Sequence, residues 1–179
     1  IGDLGDADDA DTLIALLGQN NNALADAARM SLIKLDDPKA DARIAKALAR
    51  HPANDAALTR LLGVAAFRKT PRAAPAIAEH LAATAPTVRT AAFQALTELA
   101  TDKQIPALVA AFCKAVDPQE RRAAEKALMA CARREPDATT AAILPLFAGA
   151  DAERRSSLLQ AAGLAGTPAG LELIQRAVD

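Results

Sequence analysis

The sequence predicts an all-α fold, an α-solenoid (α-α superhelix) of about five helical hairpins with partial repeats at both ends. Three observations lead there. Just over half of the 179 residues are apolar and roughly a quarter are alanine, while the aromatics are four Phe with no Trp or Tyr. Alanine has the highest helix propensity and lets helices approach closely. Apolar residues recur at i, i+3, i+4, i+7, with no period-two runs of strand formers. The same capped pattern also returns every 32 to 34 residues, as stacked supersecondary units do.

The clearest copy runs from Asp117 to Cys131. Asp117 has the chemistry of an N-cap, and Pro118 suits the first helical position, where a missing N–H costs nothing. Glu120 completes a capping box and places negative charge at the positive end of the helix dipole. Ala124, Ala127, Leu128 and Cys131 then line one face. At an offset of 32, Arg89 falls on Arg121, Leu96 on Leu128 and Leu99 on Cys131; a further 34 puts Arg155 on Arg121 and Leu158 on Ala124. Leu24, Leu32 and Leu35 precede Val88, Leu96 and Leu99 by two such steps. The copy over 54–69 is apolar nearly all round, and its register is the least defined.

First helices are expected over 9–17, 38–50, 71–82, 102–115, 137–147 and 168–178. Thr70-Pro71 and Thr167-Pro168 read as N-cap plus Pro, and Thr101 with Gln104 as a further capping box. Pro75 and Pro106 fall in first turns and Pro145 late in its helix, where proline begins or bends a helix. The links are short, which makes antiparallel hairpins. The repeats lie near 9–35, 38–69, 71–100, 102–134 and 137–166, with partial units at 1–6 and 168–179, in a single solenoid domain. Residues 1–6 read as the tail of a helix and the last helix lacks a partner, so the chain reads as a piece of a longer protein.

Asp-x-x-x-Arg followed by alanines, Ala-Leu and a small-residue turn resembles the bacterial HEAT repeat, particularly the short HEAT-like repeat of phycobilisome lyases. The matching residues are Asp117 to Arg121 with Ala127-Leu128, Asp151 to Arg155 with Ala161-Ala162 and Gly166, and Val88-Arg89 with Ala95-Leu96. The segment 21–25 lacks the Arg, and the second copy has lost most of the signature. The resemblance spans essentially the whole chain and is specific for fold; one solenoid serves many tasks.

Arg89, Arg121 and Arg155 recur at one position of successive second helices, joined by Arg122 and Arg154. Two readings stand for the recurrent three: a basic stripe that binds an acidic partner or phosphate, or a structural ladder in which each Arg bonds an Asp of its own or the next repeat. The resemblance implies the ladder. Arg122 and Arg154 are expected to face outward. The outward side of the second helices also carries Arg29, Met30, Phe93 and Met129, where an exposed Met or Phe would anchor a protein partner. Neighbouring segments covering these residues is the competing reading.

Other residues carry less. Cys113 and Cys131 sit about 15 Å apart along antiparallel helices, too far for a disulfide, and read as buried small hydrophobes. Unpaired cysteines lean toward a reducing compartment, cytoplasmic rather than periplasmic. His51 and His80 lack metal-ligand spacing and read as surface residues. Asp3, Asp6, Asp8, Asp9 and Asp11 lack the Gly and Glu of a calcium loop and read as caps or solvated charge. The basic turn 68–72 and the pair Arg133-Arg134 have no aromatics beside them.

No nucleophile elbow, phosphate loop, dinucleotide fingerprint, H-E-x-x-H or C-x-x-C occurs. No cofactor or metal is therefore expected, and the net charge of −1 gives no pull toward nucleic acid or anionic membrane. No apolar run reaches the length of a membrane span. The expected function is a non-catalytic scaffold for a protein or peptide partner. The resemblance also implies an alternative, a bilin-lyase-like HEAT enzyme or accessory, and the ends, read as cuts through a repeat, suggest another, a structural appendage of a larger bacterial enzyme. HEAT-type glycosylases bring aromatics and a basic groove that this chain lacks, and iron-dependent HEAT hydroxylases bring His-Glu pairs, of which it has none.

Overall fold

The computed structural model describes residues 7–52 and 54–178. All regular structure among them is helical. The helices fall into two compact units, residues 1–99 and 100–179, each described separately below. The partial repeat expected at 1–6, with Asp3 and Asp6, lies outside the described residues.

In the first unit the order is α1 (Ala7–Leu16), α2 (Asn22–Lys34), α3 (Pro38–Ala49), α4 (Asp55–Phe67), α5 (Ala74–Glu79) and α6 (Pro86–Leu99). Caps set the starts. Asn21 Oδ1 accepts from Leu24 N at 3.2 Å and Asp37 Oδ1 from Lys39 N at 2.8 Å, with Pro38 following as the first helical residue. Asn54 Oδ1 accepts from Ala56 N and Ala57 N, while its amide nitrogen donates to Gly18 O at 3.2 Å, tying the start of α4 to the turn after α1. On α3 the face Ala40, Ile44, Leu48 has no exposed surface. A burial as complete as that of Ile44 or Leu48 stabilises by roughly 1.5–3 kcal/mol per side chain.

The third first-helix, expected as one α-helix over 71–82, is split. Pro71–Ala73 and His80–Ala82 are 3-10 turns flanking α5. Pro71 opens the first turn and Pro75 lies at the start of α5, where a missing N–H costs nothing, and 3-10 turns are frequent at helix ends. α5 and α4 both pack on α6, whose buried set includes Val88, Ala92, Phe93, Leu96 and Leu99. Phe93 was expected on an unburied face, yet it has no exposed surface. A helix with neighbours on two sides buries a wider arc than a single apolar stripe.

The second unit runs α7 (Ile105–Phe112), α8 (Pro118–Arg134), α9 (Pro136–Phe147), α10 (Ala152–Ala165) and α11 (Pro168–Val178). α7 is shorter than the expected 102–115. Gln104 is buried at its start, and its Oε1 accepts from Thr101 N at 3.1 Å and from Thr101 Oγ1 at 2.9 Å. The expected pairing is present, but the Thr hydroxyl points at Gln104 and 102–104 remains a turn. Asp117 caps α8 through Gln119 N and Glu120 N, and Asp151 caps α10 through Arg154 N. α10 ends at Gly166, whose φ of 63° is the left-handed C-cap that glycine adopts without a side-chain clash. Thr167 then caps α11 through Gly170 N at 3.1 Å and shares a buried hydrogen bond with Thr140. α8 and α10 pack side by side, with α7 and α9 behind them.

Candidate functional site

The arginines account for most of the polar architecture. Arg89 donates to the carbonyls of Ala83 and Thr84, each at 2.8 Å, and Arg155 to that of Ala148 at 2.8 Å, with its guanidinium 5.8 Å from the centre of the Phe147 ring. Both thus satisfy the loop entering their own helix. Arg121 pairs with Glu153 of α10. Neither Arg121 nor Arg155 bonds an Asp among the described residues; Asp117 caps α8, and Asp151 caps α10 and pairs with Arg154. Arg154 does not face outward as expected. Its side chain is 19% exposed, and it pairs with Asp151 and donates to Ala115 O at 2.6 Å.

A second set of arginines escaped the sequence reading. Arg68 donates to Leu32 O at 2.9 Å, to Leu35 O at 2.6 Å and to Asp41 Oδ1 at 2.7 Å. Arg60 donates to Leu17 O at 2.8 Å, and Arg134 to Ala100 O at 2.8 Å. A helix leaves its last four carbonyls without intrahelical partners. A guanidinium from another element supplies several donors at once to the negative end of the dipole. The signal was available: Arg68 and Arg134 are 66 residues apart, two periods, and each ends a second helix.

The remaining candidates separate by unit. In the first, Arg29 is half-buried with its Nε 3.8 Å from Asp26, Met30 is 44% exposed, and Phe93 belongs to the core. In the second, Arg121 and Arg122 come together with Pro118, Glu125 and Glu153 around a cleft of about 260 Å³ between α8 and α10. Met129 lies further along α8, half-buried. Within the cleft Arg121 holds the Glu153 carboxyl below its ordinary range by hydrogen bonding. Glu125 accepts from Ser157 Oγ at 2.8 Å. Arg122 is exposed and makes no hydrogen bond or ion pair among the described residues.

A larger cleft of about 410 Å³ lies in the first unit, lined by Pro38, Lys39, Asp41, Ala42, Thr70, Pro71 and Arg72. Its acid is engaged within the unit through Oδ1. Asp41 already accepts from Arg68 and from Thr70 Oγ1. Among the described residues there is no group of three or more His, Cys, Asp or Glu placed to hold a metal ion. No helix there is long and apolar enough to cross a membrane. Cys113 is half-buried and Cys131 buried, both as free thiols. Burial pushes the Cys131 thiol up to about 11, which removes nucleophilic character at neutral pH.

His80 differs from its expected surface position. It is 3% exposed, its Nε2–H donates to Leu48 O at 3.1 Å, and its ring meets that of His51 edge-on at 4.7 Å. Burial lowers its pKa from the ordinary 6.5, and the neighbouring His51 lowers it further, against the raising effects of the Leu48 carbonyl and Glu79. The unfolded chain therefore binds the proton more readily than the folded one. The His80 contribution to stability is complete above pH 6.5 and is lost as pH falls below it. Urea denaturation between pH 7.5 and 5 should show stability falling with pH, and His80→Gln should flatten that slope. An unchanged slope would show that His80 does not titrate there. Asp151 and Glu153, whose pKa values are lowered, lose their contributions only at more acid pH.

No protein-family model and no curated protein sequence matches the chain.

Proposed function

We propose that the chain is a non-catalytic, HEAT-like scaffold whose helical pairs stack as an α-solenoid and whose second-helix surface binds a protein or peptide. The observation that carries the binding reading is the α8–α10 cleft, where unpaired Arg122 sits beside carboxylates already engaged within the unit. The repeat reading draws support from Arg68 and Arg134. At the end of its second helix, each reaches a carbonyl 33 or 34 residues back. Residues at one register that do one job are what translationally repeated units produce.

Two experiments test this. A compact domain of this length would have a radius of gyration of about 16 Å. Small-angle scattering should return a clearly larger value, and a value near 16 Å would sink the solenoid. Selection of short random peptides against the whole chain should enrich ligands that are lost on Arg122→Glu or Met129→Asp. The absence of enrichment, or ligands indifferent to both changes, would overturn the binding reading.

A further inference from the structure

Of the seven arginines in the second unit, five are spent on the protein itself. Arg121 holds Glu153, Arg134 holds Ala100 O, Arg154 holds Asp151 and Ala115 O, Arg155 holds Ala148 O, and Arg176 holds Glu172. Arg122 and Arg133 make no hydrogen bond or ion pair among the described residues, and neither does Lys126. These three cations are exposed, and with half-buried Met129 they occupy i, i+4, i+7 and i+11 of α8, one face of the helix. The carboxylates beside them line the same cleft as Arg122 but are already engaged, Glu125 by Ser157 and Glu153 by Arg121. At the same levels of the adjacent α10, 34 residues on, stand Ser156, Gln160 and Gly163, all exposed and uncharged. A ridge of cations without ion-pair partners among the described residues thus borders an uncharged shelf, whose Gly163 end abuts Ile174 of α11.

We propose that this ridge and shelf bind an acidic polypeptide segment, its carboxylates on Arg122, Lys126 and Arg133 and an apolar side chain on Met129; this rests on the scaffold reading and names the class of its partner. Arg122 to Arg133 spans about 16 Å along the axis, which about five residues of extended chain cover. A protein segment fits better than nucleic acid. The stripe carries no aromatic on which a base could stack, and the Met129 thioether offers a soft apolar contact to a side chain.

Fluorescence anisotropy on the whole chain at low salt tests this with three labelled probes: a Glu-rich peptide with Leu at every fourth position, its Lys-for-Glu counterpart, and oligothymidine. The Glu peptide should bind, the Lys peptide should not, and the affinity should fall as salt rises. The triple variant Arg122→Glu, Lys126→Glu, Arg133→Glu should bind the Glu peptide roughly tenfold or more weakly. The three residues are exposed, so circular dichroism should show the helical content unchanged. The corresponding Gln triple should give an intermediate loss and serves if the charge reversal perturbs folding. Binding that survives reversal, no binding of the Glu peptide, or tighter binding of oligothymidine overturns the proposal. If selected peptides that are not acidic are still lost on Met129→Asp, the scaffold reading stands while the acidic partner falls.

Discussion

Phe93→Ala is expected to destabilise the first unit by about 3–5 kcal/mol, and Phe93→Asp to leave it unfolded under native conditions. Phe93 is among the largest side chains with no exposed surface, on a helix flanked by both α4 and α5. Truncation loses the transfer free energy of the ring and leaves a cavity that rigid helices close only in part. A carboxylate at the same position is isolated from water and must protonate or open the core. Domains of this size rest on a margin of roughly 5–15 kcal/mol, so the second change consumes most of it. Urea denaturation of both variants checks this. If Phe93→Asp kept near-native stability, the ring would have to be at the surface, as the helical period alone suggests.

Arg68→Ala should cost about 2–4 kcal/mol, and Arg68→Lys should recover only a small part of that. The side chain is 10% exposed and bridges the last carbonyls of α2 to Asp41 of α3. Removing it leaves those carbonyls at a half-buried helix end without their donor and Asp41 without its cation. A lysine carries a comparable charge but presents its donors from one point, so it cannot reproduce the planar fork that reaches two helices. Arg122→Ala, with no partner to lose among the described residues, should shift stability by less than about 0.5 kcal/mol and is the control. Full rescue by Lys would mean that charge at the end of α2, and not hydrogen-bond geometry, sets the effect.

The candidate surface was legible only in part. Arg122, Met30 and Met129 retain exposed surface where helical periodicity puts it, because each lies on the centre of the outward face. Phe93 and Arg154 fail for one reason: they lie on flanks, and a flank is buried or exposed according to what packs beside it. At an offset of 32 from Phe93 stands Glu125, half-buried and held by Ser157 of a neighbouring helix. The flank position is therefore one that neighbouring helices use, whether the residue there is apolar or charged. His80 escaped because its cover comes from the end of α3, where Leu48 and His51 lie some thirty residues earlier in the chain.

The sequence by itself determined the helical class, the order of the helices and most of their starts, because helix periodicity and caps such as Asn54, Asp117, Asp151 and Thr167 act within a few residues. Tertiary structure decided which polar side chains are consumed internally. Arg68 meets Leu35, Arg154 meets Ala115 and Arg121 meets Glu153 across 32 to 39 residues. Such pairings depend on where packed helices bring an unsatisfied helix end or a carboxylate within reach of a guanidinium, and local sequence carries no energy term for that distance.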